Sequence, residues 1–193
     1  MTQESKRPTD HEPVNVEDRQ MPLYGRYGDA PGEATITDRA KTTSGTETDP
    51  FHGVIEPGSQ DYGIAWEFGI HNAVGGFHDA PNPGDILCAA LAACLDSTIR
   101  IVAGRLDVTL EHLAVEVTAD VDVRGTLVVE QDVPVGFQEM QCHVDIRAAD
   151  GTDPELVEQL IHAAEYSCVN LQTLRSGVPV ETSVEIDSDV DQP

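Results

Sequence analysis

The sequence predicts a single α+β domain that follows a polar N-terminal extension. Segments of alternating apolar and polar residues, which are typical of strands, lie on both sides of a long apolar segment with helix-capping residues. The order is strands, one helix, more strands, two helical segments and a last strand, which is typical of the α+β class. We divide the 193 residues into an acidic, mobile tail (1–31), a domain (32–187) and a disordered C-terminal tail (188–193).

The composition excludes several classes of partner. Thirty-five acidic and eleven basic side chains give a formal charge of −24, which repels nucleic acids and anionic membrane surfaces. No uninterrupted apolar run approaches the roughly 20 residues that span a bilayer, and the N-terminus lacks the apolar stretch of a signal peptide. We therefore expect a cytoplasmic protein without nucleic-acid or membrane partners. The acidic, lysine-poor composition also suggests adaptation to concentrated salt.

The elements of the first half are predicted from local signals. The tail is polar, is interrupted by four prolines and shows no apolar periodicity, so we expect a mobile tail or a loosely docked arm, with Leu23, Tyr24 and Tyr27 able to hold its end to a surface. Three short segments rich in β-branched or aromatic residues predict strands at 34–42, 51–56 and 62–70.

The first helix is the clearest element of the sequence. Asn82 is a good N-cap, Pro83 suits the first helical position, Asp85 lies where a capping carboxylate helps, and Gly104 offers a stop. Between them residues 86–95 are apolar on every face, which predicts a helix that is buried on all sides. A small domain covers such a helix poorly, so we expect a second copy of the chain to contribute.

Further elements follow in the second half. Alternation predicts a strand at 113–123, a turn or bulge at Gly125, extended chain at 126–133 and another strand at 137–146. Asp153 and Pro154 start a second helix, and residues 165–174 continue as a helix or a broken helix that ends at Gly177. A last alternating strand is expected at 178–186, with Pro179 placing its start at a sheet edge.

Four cysteines are the main candidates for chemistry. Without CxxC or CxxH pairs a zinc site has little local support, and buried structural thiols or redox chemistry remain open. Cys94 is too deep in its helix for the helix dipole to activate it directly, so activation requires a basic side chain from elsewhere. Cys168 lies 74 positions away, and only the fold can bring the two thiols together.

Two segments carry a family resemblance. GGFHDAPNPGDILCAALAACLDST (75–98) resembles the central-helix signature of the OsmC/Ohr family, the osmotically inducible and organic hydroperoxide resistance proteins. AEYSCVNLQTLRSGVPVE (164–181) resembles the second cysteine segment of that family, and the element order agrees over about residues 33–186.

The resemblance implies a fold and a chemistry. It implies an intertwined homodimer with antiparallel sheets around long central helices, and a thiol peroxidase that reduces organic hydroperoxides to alcohols in oxidative stress defence. Cys94 is then the nucleophile, Cys168 the resolving thiol, Arg39 a thiolate stabiliser and Asp85 the residue that orients this arginine. No bound cofactor or metal is expected, and the reductant is an external dithiol protein, for example one of lipoyl type.

One departure from the family pattern keeps an alternative open. The hydroperoxide-resistance branch has a glutamate directly after Asn-Pro, where this chain has Gly84. The acidic residue one position later, Asp85, resembles the pattern of the broader OsmC-like branch. The alternative is a noncatalytic dimer that binds a small apolar or thiol-bearing ligand at its interface, and a Cys/His metal site is a third reading.

Overall fold

A computed structural model describes residues 14–43, 49–58 and 62–185 of the chain. Both tails beyond these ranges, including all of 188–193, lie outside the described residues. The helices are α1 (Val16–Asp29), α2 (Pro83–Arg105), α3 (Val123–Thr126), α4 (Pro154–Ser167) and α5 (Val169–Ser176); the strands are β1 (Ala40–Thr43), β2 (His52–Pro57), β3 (Trp66–Gly69), β4 (Leu110–Asp120) and β5 (Glu139–Ala148). The mixture of helices and antiparallel strands confirms the predicted α+β class.

Two antiparallel sheets organise the strands. β1, β2 and β3 pair in chain order, and β4 pairs with β5 with Val115 opposite Val144 and Val117 opposite Cys142. Alternate residues of β4 and β5 are partly buried, so this sheet turns one face toward the helices.

The core forms where α2, α4 and α5 meet the inner face of the β4–β5 sheet. It is built from a stripe on α2, one residue after that helix, and four residues of the C-terminal helices and their junction: Leu91, Leu95, Ile99, Val102, Ala103, Val108, Leu160, Ala164, Cys168 and Leu171. One of the four cysteines is thus a core residue.

The cap of α2 confirms the sequence prediction. The Asn82 side chain accepts hydrogen bonds from the backbone N–H groups of Gly84 and Asp85, and the Asn82 backbone N–H donates to the Asp85 carboxylate over 2.9 Å. This reciprocal capping box satisfies donors that the first helical turn leaves unpaired.

Only one side of α2 is buried within the chain. Ala89, Ala90, Ala93 and Ser97 are exposed, although the sequence predicts a helix buried all round. By length and apolar composition α2 also passes as a membrane-spanning helix, a property it shares with core helices of water-soluble proteins. Its buried stripe makes it the core helix of this fold.

The C-terminal helices confirm the prediction of a broken helix. α4 starts after the Asp153 cap, the backbone turns extended at Cys168 (φ −76°, ψ 109°), and α5 ends before Gly177, whose φ of +69° favours glycine. The break places a single non-helical residue, Cys168, between two helices.

The N-terminal segment is docked, and its residues 16–29 form a helix, α1, that the sequence did not predict. Asn15 caps this helix, and Val16 packs so closely on Gly104 of α2 that a Cβ there would lie 2.6 Å from it. Arg105 donates to the Gln20 side chain over 2.7 Å and to the Tyr24 hydroxyl. The partly buried residues of α1 recur at helical spacing on one face, and three of them are apolar: Val16, Leu23 and Tyr27. This short stripe within a polar segment was not predicted from the composition.

The prediction of extended chain at 126–133 is wrong. The segment forms α3 and turns, with the Val129 N–H donating to the Arg124 carbonyl over 2.9 Å. Gly125 is buried, and a Cβ there would lie 2.6 Å from the Pro134 carbonyl oxygen. The chain therefore folds back on itself at this glycine instead of continuing β4.

Three strand predictions change in extent. The strand expected at 51–56 is confirmed as β2, whereas those expected at 34–42 and 62–70 contract to β1 and β3. Residues 178–185 of the expected last strand are irregular, with Val180 82% exposed, and residue 186 lies outside the described range. A strand requires a partner for its backbone groups, and in this chain residues 178–185 pair with no described strand.

Candidate functional site

The structure brings the two predicted redox cysteines together. Cys94 is half-buried on α2 at the margin of the buried stripe, and Cys168 is fully buried at the junction of α4 and α5. The thiols are neighbours, and the Cys94 thiol is one of the groups that raise the pKa of Cys168. All four cysteines are free thiols in this structure.

The environment of Cys168 keeps it protonated. Burial is the largest effect and raises the pKa of the Cys168 thiol, because a desolvated thiolate is unfavourable. The backbone amides of Leu171 and Asn170, at the start of α5, oppose this effect and lower the pKa. The balance is a raised pKa, and hence a neutral, solvent-shielded thiol at neutral pH.

The polar groups around Cys94 are local to its helix. The Thr98 and Ser97 hydroxyls both donate to the Cys94 backbone carbonyl, over 2.7 Å and 3.0 Å. These bonds satisfy two hydroxyl groups on an otherwise apolar helix and leave the Cys94 thiol beside Cys168.

Asp85 lies away from the thiol pair. Nine residues separate it from Cys94, which places the two on opposite faces of α2 and about 14 Å apart along the helix axis. Its carboxylate accepts from the Asn82 backbone and from the Asn82 side chain, the latter over 2.7 Å. Within one chain Asp85 acts as a capping residue.

Arg39 is also outside the pair in a single chain. It is exposed in the irregular segment before β1, where its backbone carbonyl accepts from the Gly58 N–H over 2.8 Å. Within the described ranges no hydrogen bond or ion pair links its side chain to Cys94, Cys168 or Asp85. The stabilising and orienting roles of Arg39 and Asp85 therefore stay predictions.

Gly84 is packed against an aromatic ring. A Cβ at this position would lie 3.0 Å from Cζ of Phe137 and 2.9 Å from the Asn82 side-chain oxygen. A larger residue, such as the glutamate of the hydroperoxide-resistance branch, requires the Phe137 ring to move. The space at position 84 therefore fits a glycine and no larger side chain unless Phe137 moves.

The other two cysteines line open cavities. Cys142 is exposed on the inner face of β5 in a cavity of about 550 Å³ between α2, β5, α4 and α5, and Cys88 lines a separate one of about 1020 Å³. Burial raises the pKa of Cys142, with Arg175 lowering it and Glu165 raising it. Burial also raises the pKa of Cys88, with a further contribution from Asp85. No pattern in the sequence indicates that Cys142 faces a cavity.

Among the described residues, no three His, Cys, Asp or Glu side chains converge on a position that could hold a metal ion.

Comparisons with known proteins give a family match. The family model of the OsmC-like proteins matches residues 76–183, which include both cysteines of the pair. No curated protein shows significant sequence similarity to the chain.

Solved structures share the fold at low sequence identity. An OsmC-like protein from Mycoplasma pneumoniae is 15% identical with a TM-score of 0.58, over 74% of this chain and 89% of that one. An organic hydroperoxide resistance protein from Legionella pneumophila is 23% identical, with a TM-score of 0.54 over 73% and 90% of the two chains. One from Elizabethkingia anophelis is 22% identical, with a TM-score of 0.56 over 74% and 91%.

Proposed function

Because the chain belongs to the OsmC-like protein family, we propose that it is a cytoplasmic thiol peroxidase that reduces organic hydroperoxides in oxidative stress defence. The observation that carries the proposal is the contact between a half-buried Cys94 thiol and a fully buried Cys168 thiol. Of the two thiols, Cys94 is the one that is partly exposed, and Cys168 lies next to it.

The proposed reaction has two steps. The Cys94 thiolate attacks an oxygen of the hydroperoxide, an S–O bond forms as the O–O bond breaks, and the alcohol leaves after protonation. Cys94 is then a sulfenic acid. The Cys168 sulfur displaces its hydroxyl group, which leaves as water with the Cys168 proton, and a disulfide results. An external dithiol, of lipoyl type in this proposal, reduces the disulfide by exchange.

Burial and protonation support this division of roles. Cys168 is shielded from solvent and its raised pKa keeps it a thiol, so it is a poor first nucleophile for a peroxide that arrives from solvent. Cys94 lies at the margin of the buried stripe and is partly exposed, which makes it the better candidate for the first nucleophile. The same contact that shields Cys168 places it next to the sulfenic acid.

We further propose that the working form is a homodimer. α2 leaves a face of small residues exposed, including Ala89, Ala90 and Ala93, and small residues allow two helices to approach closely. A second copy of α2 packed on this face would bury it, so that the helix is covered on all sides as its apolar sequence predicts. The proposed roles of Arg39 and Asp85 need such a partner, because a single chain places both away from Cys94.

The alternative function is noncatalytic binding of a small apolar or thiol-bearing ligand. The cavity beside Cys142 favours it, because its floor is apolar, with Leu91, Leu95 and Ile99, and Arg175 and Glu165 lie among its lining residues. Gly84 also favours it, since the glutamate of the hydroperoxide-resistance branch is missing.

The test is thiol loss after one equivalent of cumene hydroperoxide, compared with hydrogen peroxide. We expect reduced wild-type protein to lose two thiols rapidly, to prefer the organic peroxide, and to show a bond between Cys94 and Cys168 by peptide mass. Cys168→Ser should stop at a Cys94 sulfenic acid. Cys94→Ser should fall to the uncatalysed rate, whereas the matched variant Cys142→Ser should react like wild type. Unchanged turnover in Cys94→Ser would refute the assignment of Cys94 as the nucleophile. Slow thiol loss in the wild type, without a bond between Cys94 and Cys168, would refute the peroxidase and leave the binding function.

A further inference from the structure

A side-chain amide joins the segment that carries Cys168 to the helix that carries Cys94. The Nδ2 group of Asn170 donates to the backbone carbonyl of Ala90 over 2.8 Å, across 80 positions of sequence. Asn170 is half-buried in the first turn of α5, two residues after Cys168.

The acceptor lies one helical turn before the Cys94 position. In an α-helix the carbonyl of residue 90 accepts the backbone N–H of residue 94, so Asn170 binds the same carbonyl as Cys94. Ala90 and Cys94 also share one face of α2. The start of α5 therefore meets α2 at two adjacent points: the thiol of Cys168 at Cys94, and the amide of Asn170 at Ala90.

The helix break explains why such a bond is needed. The extended backbone at Cys168 interrupts the helical hydrogen bonding, so α4 does not by itself fix where α5 begins. Two other α5 side chains bind back to α4: the Gln172 amide donates to the Glu165 carbonyl over 2.8 Å, and Arg175 pairs with the Glu165 carboxylate. Among the described residues, Asn170 makes the hydrogen bond that holds α5 to α2, beside the apolar packing of Leu171.

We propose that Asn170 is a positioning residue for disulfide formation between Cys94 and Cys168, an inference that rests on the proposed function. The disulfide requires α5 to stay docked on α2, because its geometry tolerates only a narrow range of Cα separations. The reduced form also makes the Asn170 bond but does not require it, so in a variant without the bond the start of α5 is free to leave α2 in the reduced form only. Loss of the Asn170 bond therefore lowers the effective concentration of one thiol at the other. It disfavours the disulfide form relative to the reduced form.

The test is the exchange equilibrium of the Cys94 and Cys168 pair with dithiothreitol, measured without peroxide in a Cys88→Ser, Cys142→Ser background. We expect Asn170→Ala to lower the equilibrium constant for the protein disulfide by about three- to tenfold, the range of one hydrogen bond. Asn170→Asp, which keeps the shape but loses the donor, should do the same. Gln172→Ala is the matched control and should leave the constant unchanged, since it removes an equivalent amide-to-carbonyl bond to α4.

The outcomes separate the two proposals. An unchanged constant in both Asn170 variants, or an equal fall in Gln172→Ala, would overturn the positioning role and reduce Asn170 to general docking of α5. Urea unfolding of the reduced variants reports that general effect separately. A wild-type protein that forms the disulfide in the redox buffer but consumes no hydroperoxide would overturn the peroxidase and leave the positioning role intact.

Discussion

His52 is held between two carboxylates at the point where the three-stranded sheet meets the loop before α2. Its Nδ1 lies 2.7 Å from the Asp49 carboxylate and its Nε2 lies 2.9 Å from the Asp79 carboxylate, while its ring stacks on Phe77. The imidazolium donates to both acids, whereas the neutral ring has only one N–H. The hydrogen bond that the His52 ring donates to Asp79 has the larger effect and the one to Asp49 the smaller, and both raise the pKa of His52 above its usual 6.5.

This residue predicts a pH-dependent contribution to stability. Since the folded pKa is raised, the contribution is complete below the unfolded value near 6.5 and is lost as pH rises through the folded value. We expect Asp79→Asn to lower the urea unfolding midpoint more at pH 6 than at pH 9. Asp153→Asn, an acid without a histidine partner that keeps a capping side chain, should differ from wild type equally at both pH values. A difference for Asp79→Asn that does not shrink by pH 9 would contradict the assignment.

At the scale of elements, stability and chemistry at the start of α2 can be separated. Loss of the N-cap in Asn82→Ala should lower the free energy of unfolding by about 0.5–2 kcal/mol. Asp85→Ala removes the other half of the capping box and should destabilise the protein in the same range. If Asp85 also orients the activating arginine, this variant should slow hydroperoxide turnover well beyond Asn82→Ala. Equal turnover in the two variants would restrict Asp85 to capping.

Elements with complete local signals could be predicted from the sequence. α2 and α4 each carry a capping side chain and a first-turn proline, and β4 and β5 carry an unbroken alternation that one buried face requires. α1 has a capping residue, Asn15, but no first-turn proline, and it depends on distant contacts at Gly104 and Arg105. The strand expected at 178–186 has the alternation, but strand pairing is a property of two segments, and the sequence of one does not supply the other.

The contacts that form the candidate site were also not predictable from single segments of the sequence. Each half of the thiol pair could be located along the chain, but their contact depends on the packing of α4 and α5 on α2, and only the family resemblance anticipated it. The Asn170 bond to Ala90 left no local signal, since an asparagine in a first helical turn is ordinary.

At the scale of the whole molecule, the exposed face of α2 predicts self-association. We expect sedimentation velocity to give a species of twice the 20.8 kDa chain mass. Ala93→Glu places a charge on the exposed face and should shift the protein to the monomer, whereas Ala163→Glu, an equally conservative change on the exposed side of α4, should not. A monomeric wild type, or a dimeric Ala93→Glu, would contradict association through this face.

The position of Cys168 between α4 and α5 has a topological consequence. A bond from there to Cys94 closes a covalent ring of 75 residues, from 94 to 168, that contains both long strands and all of α4. Closing a ring of this size restricts the unfolded chain by about 4 kcal/mol in the chain-entropy model. Each turnover would then alternate the protein between a linear and a ring-closed chain. Its free energy of unfolding would rise on oxidation and fall on reduction, and would therefore vary with the fraction of the protein that hydroperoxide has oxidised.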